Sequence, residues 1–361
     1  MTRYREQRLW DAKFIKTIKL LAPGTLLREG LENILRAKMG ALVVVGDKPT
    51  VMELVNGGFA INCDFSPSGF YELAKMDGAL VLSEDSKYIL NANAHLVPDA
   101  SVYTIETGTR HRTAERMARQ TGALVIAISQ RRNVITIYQG NLRYTLKDLS
   151  VILNRTNQAM QTMERYNHVL TKGLNALTAL EFDNLATLHD VATVIVRAEQ
   201  VSRIADEIRN NIIELGNEGR LLNMQMEELL PAEDEEILLL KDYCFSSDPE
   251  IPETVRESLA ALSEENLEPI TVCRMLGFTI AGSKMTEILV VPRGYRVLRR
   301  VSRLPMAVIE NLVAQYKTLH PIYNATLAEL DKVEGIGEVR AKAIKDGLKM
   351  VREQALLDYH G

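Results

Sequence analysis

Along the first 145 residues, short apolar runs alternate with longer stretches in which apolar positions recur every three or four residues. Ala41–Val45, Ala79–Leu82, Val102–Ile105, Leu124–Ile128 and Val134–Tyr138 are too short for helices and rich in Val and Ile. Turn signals such as Asn56-Gly57-Gly58 punctuate them, so they predict strands of one sheet. Helices fit at Asp11–Leu21, Gly30–Met39, Ser68–Lys75 and Thr113–Gln120. The texture then changes: no proline occurs between Pro98 and Pro231, and strand signals end after Tyr144. Positions 146, 149, 153, 156, 160, 163, 167, 170, 174 and 177 keep a 3-4 spacing, all Leu or Met except Thr156 and Asn167, which predicts a long packed helix. A second uninterrupted helical stretch, Leu185–Leu215, makes an antiparallel spine the natural architecture. Its stripe fits a plain helical core first, and a spacer or assembly surface as the functional alternative. The pattern thus divides the chain into an α/β domain at 1–145 with a mixed sheet flanked by helices, an all-α spine at 146–289, and a helical domain at 290–361.

Length agrees, since 361 residues predict two or three domains. The net charge of −4 hides a division: residues 232–269 carry twelve acidic side chains against two basic, and residues 271–361 fourteen basic against nine acidic. Arg293, Arg296, Arg299, Arg300 and Arg303 crowd into eleven positions, a candidate polyanion contact that fits a solvated helix face as well. Cys63, Cys244 and Cys273 lack metal-ligand or disulfide-framework spacing, so a reducing cytoplasm is expected. No apolar run approaches the ~20 residues of a membrane span, and Arg3, Arg5 and Arg8 precede no secretory core, so neither a membrane protein nor an exported one is expected. His168, His189, Trp10 and the methionines of the spine read as packing or surface residues.

The densest polar cluster is Gly108-Thr109-Arg110-His111-Arg112-Thr113, between the predicted strand at Val102–Ile105 and a helix. N–H groups at a helix start, two hydroxyls, two guanidinia and an imidazole compose a phosphate cradle, although a basic turn before a helix is also a common solvated cap. Asp77-Gly78-Ala79 enters another predicted strand. It is an ordinary turn dipeptide, or a carboxylate for a hard divalent ion beside a glycine that lets a ligand approach the backbone. Together the two features suit phosphoryl or nucleotidyl transfer, which needs positioning and charge neutralisation more than covalent chemistry.

In this order and spacing, Asp77-Gly78-Ala79 and Gly108-Thr109-Arg110-His111-Arg112-Thr113-Ala114, followed by Ile128-Ser129, resemble the two signature motifs of the diadenylate cyclase family. The resemblance implies condensation of two ATP into cyclic di-AMP with release of two pyrophosphates, each 3′-hydroxyl attacking the other nucleotide's α-phosphate. It implies that Asp77 holds Mg²⁺ or Mn²⁺ and helps deprotonate the hydroxyl, and that Gly78 and Ala79 line the nucleotide. Leu96 would meet the adenine, Arg110, His111 and Arg112 would hold the phosphates with Gly108, Thr109 and Thr113, and Ser129 would lie near them. Gln130 departs from many relatives, which carry Glu there; a neutral amide binds a cation more weakly. One Asp77 and one cradle serve one ATP, so two domains must face each other across a two-fold axis, and the family forms an octamer with paired cyclase domains.

Near the C-terminus, Leu330 to Ala341 encloses Gly335-Ile336-Gly337 and resembles a helix-hairpin-helix motif. Its glycines permit a tight hairpin that approaches phosphate, and Arg340, Lys342, Lys345 and Lys349 add cations; packing within the protein is the alternative. Across the whole chain, the order of cyclase-like domain, spine and hairpin resembles the DNA-scanning members of the family. That implies a nucleoid-associated DNA-integrity checkpoint sensor whose cyclase is inhibited by branched, Holliday-junction-like DNA and which couples to a RadA-like recombination ATPase. A catalytically inactive branched-DNA scaffold is the runner-up. A structure-specific nuclease ranks last, because the acidic run at 233–236 lacks a strand-borne setting.

Overall fold

The computed structural model describes residues 12–360 except 231–234, 247, 249 and 280–283. Trp10, Asp11, the N-terminal arginines and the acidic residues 233 and 234 lie outside the described residues. In chain order the helices are α1 (Ala12–Leu20), α2 (Leu26–Arg36), α3 (Pro49–Met52), α4 (Pro67–Leu73), α5 (Thr109–Thr121), α6 (Leu149–Phe182), α7 (Leu188–Leu215) and α8 (Arg220–Leu229). They continue as α9 (Glu235–Tyr243), α10 (Ile251–Ala261), α11 (Pro269–Met275), α12 (Tyr295–Arg299), α13 (Met306–Tyr316), α14 (Leu319–Asn324), α15 (Leu327–Leu330) and α16 (Glu338–His360). The strands are β1 (Ala41–Val45), β2 (Val55–Asn56), β3 (Phe59–Asp64), β4 (Ala79–Leu82), β5 (Tyr88–Leu96), β6 (Leu124–Ser129), β7 (Val134–Gln139) and β8 (Leu142–Thr145). Of the described residues, one compact unit holds those of Trp10–Asn157 and Arg209–Asn223, and the other those of Gln158–Ile208 and Met224–Gly361.

In the first unit a mixed sheet runs β2-β5-β4-β1-β6-β7-β8, with β3 on β5. Only β1 and β4 are parallel among the described pairs. Every residue of the central strand β1 is buried, as expected of a strand covered on both faces. Val43, Leu80, Ile126 and Ile128 pack under α1, α2 and α4 through Phe14, Leu31, Ile34 and Phe70. Leu42, Val44, Val125 and Ala127 pack under α5 through Ala114, Met117 and Ala118.

Four of the five predicted strands occur, and the fifth does not. Val102–Ile105 is irregular chain outside the sheet. Side chains of α5 hold it: Arg116 Nε donates to the Val102 carbonyl at 3.0 Å, Arg119 Nη1 to that of Tyr103 at 2.9 Å, and Thr104 Oγ1 to Glu115. The helix begins at Thr109, not Thr113, so Arg110, His111 and Arg112 form its first turn rather than a loop before it. Helix α2 likewise starts earlier than Gly30, because Thr25 Oγ1 accepts from the Arg28 N–H as an N-cap. The longest strand, β5, has two irregularities in its pairing with β4, and Asn93 in it has φ 53°.

In the second unit the 3-4 stripe is realised: Met160, Met163, Leu170, Leu174 and Leu177 of α6 are buried. Two residues of the arginine-rich segment turn inward, while Arg299, Arg300 and Arg303 are exposed. Arg293 donates to the carbonyls of Lys241 and Cys244 at 2.7 Å, and Arg296, 1% exposed, pairs with buried Glu181 at 2.5 Å. Asp242 accepts the N–H groups of Gly294, Tyr295 and Arg296 at the start of α12. Arg293 and Arg296 thus hold the fold together. The C-terminal core unites α12 to α16 through Leu298, Ile309, Leu312, Ile322, Leu330, Ile336 and Ile344.

Candidate active site

The sheet register gathers the motifs. The parallel pairing that begins at Val43–Leu80 sets the starts of β1 and β4 side by side, with Gly40 one residue before β1 and Asp77 two residues before β4. One residue beyond the antiparallel pair Ala41–Ile128 lie Gly40 and Ser129. The entries to β1 and β4 and the exit from β6 therefore share one end of the sheet. Arg110 reaches it from α5, with Nη1 and Cζ of its guanidinium against Gly40, at the space a side chain there would fill.

Asp77 is exposed in the turn before β4. Gly78 has φ 90°, and a Cβ on it would fall 2.8 Å from the Ala94 carbonyl oxygen, so glycine is required here by both backbone and neighbour. Ala79 and Leu96 are buried in the apolar layer beneath α5. Gly108 caps the helix without a side chain, and Thr109 and Arg112 are exposed, whereas Arg110, His111, Thr113 and Ser129 are half-buried. Ser129 Oγ accepts from the Arg132 N–H at 3.3 Å, closing the exposed β6–β7 turn that carries Gln130, Arg131 and Arg132.

His111 is fixed by residues that sequence reasoning did not single out. Arg143 Nε donates to Glu106 Oε1 at 2.6 Å, and the Tyr138 hydroxyl donates to the same oxygen at 2.9 Å. Burial, the largest single influence, would raise the Glu106 carboxyl, but these two bonds together with the charges of Arg143 and His111 hold it below the ordinary carboxylate range. The single hydroxyl proton of Tyr138 is thereby committed, so its oxygen accepts from His111 Nδ1 at 2.9 Å. The network assigns the imidazole proton to Nδ1 and leaves a lone pair on Nε2, which is buried and unpartnered among the described residues. Burial lowers the pKa of His111; Glu106 opposes this, and Arg132, Arg143 and Arg110 reinforce it. The only sequence trace of this support is a polar or charged residue punctuating apolar β7 and β8 at Tyr138 and Arg143.

For a divalent ion the site offers the exposed carboxylate of Asp77, and no cluster of three or more His, Cys, Asp or Glu side chains among the described residues could hold one. One carboxylate plus substrate phosphates and water is a donor set that suits Mg²⁺ or Mn²⁺ and excludes a protein-only metal cage. The arrangement can bind a polyphosphate beside a carboxylate, with the cations drawn from α5 and the β6–β7 turn.

In the second unit, Gly335 has φ 82° in the turn between α15 and α16. Arg340 Nη1 donates to the Gly335 carbonyl, and Asn311 Nδ2 to that of Glu334 at 3.0 Å, so the turn is braced from both sides. Ile336 is buried, a Cβ on Gly337 would meet nothing within 4 Å, and Lys342 is exposed. Lys345 instead donates to the Tyr323 carbonyl at 2.5 Å, and Lys349 Nζ lies 3.9 Å from Glu353.

Comparison with known proteins matches residues 28–142 to the family described as the DisA bacterial checkpoint controller nucleotide-binding region, and residues 146–285 to the DisA bacterial checkpoint controller linker region. A DNA integrity scanning protein DisA of Clostridium botulinum is 53% identical over 349 residues, 96% of this chain and 98% of its own. Its counterpart in Carboxydothermus hydrogenoformans is 55% identical over 346 residues, 95% and 98% of the two chains. Among solved structures, DacA of Staphylococcus aureus is 17% identical over 38% of this chain and 91% of its own, with a TM-score of 0.31.

Proposed function

The chain belongs to the DisA bacterial checkpoint controller family, and from that premise we propose that it condenses two ATP molecules into cyclic di-AMP and two pyrophosphates. The observation that carries this reading is the convergence of Asp77, Ser129 and Arg110 at one end of the sheet. Each 3′-oxygen forms a bond to the other nucleotide's α-phosphorus as the bond to the departing pyrophosphate breaks. Arg110, His111 and Arg112 hold the phosphates with Gly108, Thr109 and Thr113, and Ser129 stands beside them. Gly78 and Ala79 admit the nucleotide to the backbone, and Leu96 meets the adenine. Asp77 orients the 3′-hydroxyl and holds Mg²⁺ or Mn²⁺, which when bound neutralises phosphate charge and eases loss of the hydroxyl proton.

One chain supplies one such set, so cyclisation requires a second facing it, consistent with a homo-octamer with paired cyclase domains at 1–145, a spine at 146–289 and a DNA-binding domain at 290–361. The turn at Gly335, Ile336 and Gly337, the N–H groups opening α16 and exposed Lys342 support contact with a DNA backbone. Arg340 and Lys345 enter that proposal as braces of the hairpin and its neighbour. Branched DNA bound there suppresses the cyclase, and a RadA-like recombination ATPase is the proposed partner, at the nucleoid.

Asp77→Asn tests the catalytic reading. The side chain is exposed on a turn, so the substitution should leave folding intact while reducing cyclic di-AMP formation at least about 100-fold. Chromatography of product from ATP and Mg²⁺ or Mn²⁺ measures it; turnover within a few-fold of the parent would overturn the role.

A further inference from the structure

Glycines in this unit serve different ends. Gly58 and Gly78 have φ 83° and 90°, and a Cβ on either would strike backbone, at 2.6 Å from the Ala92 oxygen and 2.8 Å from the Ala94 oxygen. They are glycine because the chain around β5 leaves no alternative. Gly40 is not in the left-handed region, so its backbone accepts any residue. A Cβ there would overlap Nη1 of Arg110 and lie 3.0 Å from its Cζ, with the Ile128 oxygen next at 3.3 Å. The chief obstacle is thus the far end of a flexible side chain, which can swing away at little cost to the fold. The Ile128 carbonyl need yield only a few tenths of an ångström.

We propose that Gly40 is a positioning residue for Arg110: its missing side chain is the seat in which the guanidinium rests, holding that charge between the strand ends that carry Asp77 and Ser129. This rests on the cyclase reading for its substrate, ATP, but not for the contact itself. Arg110 is half-buried and joined to the sheet end by a long side chain, so without the seat its head would be free to sample several rotamers. The backbone at this position has no conformational need for glycine. Its chemistry is the space it leaves.

The test uses the full chain and 3′-deoxy-ATP, which lacks the attacking hydroxyl and so reports binding without turnover. Gly40→Ala should keep the parent's melting temperature and weaken 3′-deoxy-ATP binding by about 10- to 100-fold, the range of a charged hydrogen bond. With ATP it should raise KM more than it lowers kcat. Arg110→Ala should lose a similar factor, and adding Gly40→Ala to Arg110→Ala should change nothing further, because the methyl then meets no guanidinium. Unchanged affinity in Gly40→Ala, additive losses in the double variant, or a Gly40→Ala chain that fails to fold would each overturn the proposal, since only the arginine head should resist the methyl. If the parent binds 3′-deoxy-ATP with this coupling yet makes no cyclic di-AMP from ATP, the seat stands and the cyclase reading falls.

Discussion

His111 shows how one proton position constrains the proposed phosphate site. With Nδ1–H committed to Tyr138, the neutral ring can only accept at Nε2, so donating to a phosphate oxygen requires a second proton. Its pKa lies below the ordinary 6.5 in the free protein, chiefly through burial, so the ring is neutral at pH 7. A bound triphosphate favours the cation, and binding should therefore take up a proton. The sign is definite: affinity for 3′-deoxy-ATP should rise as pH falls from about 8 to about 6, and by more than for His111→Asn, which retains only the nucleotide's own titration. Calorimetry in buffers of different ionisation enthalpy checks this; equal pH dependence in the two proteins would contradict it. Arg110, His111 and Arg112 were legible because they are neighbours in sequence. Glu106, Tyr138, Arg143 and Gly40 were not, because only folding brings these scattered residues against the motif.

At the scale of elements, periodicity located what burial dictates. The all-apolar β1 and the stripe of α6 were readable because nearly every side chain facing a core must be apolar. Strand β5 was not, since Asn91, Asn93 and Ala94 are poor strand formers, and its irregular pairing with β4 breaks the alternation. Val102–Ile105 misled in the opposite sense: it has strand composition, but its backbone is engaged by arginines of α5. In the arginine cluster after Pro292, Arg296 misled because charge is visible in sequence and its partner is not; Asp242 and Glu181 lie 54 and 115 residues from it. Breaking that buried pair by Arg296→Met should cost about 3–5 kcal/mol of stability, whereas adding Glu181→Leu should recover most of it, because the stranded carboxylate is the larger penalty. Urea denaturation of the second unit's transition measures both. A loss below about 1 kcal/mol would show that the pair is dispensable.

At the scale of the molecule, two kinds of surface stand in one chain: a sheet end with a carboxylate and arginines, and a glycine turn between short helices with basic residues nearby. Among the described residues no helix is long and apolar enough to cross a membrane. In the proposed function the first surface condenses nucleotides once a second copy faces it, and the second contacts a DNA backbone. In that function the second surface governs the first. Purified full-length protein with ATP and Mg²⁺ or Mn²⁺, with and without a four-way DNA junction, tests it most directly when ATP and cyclic di-AMP are resolved by chromatography. Cyclic di-AMP should form and decline as junction is added; junction binding with no product in either metal would leave only a DNA-binding scaffold.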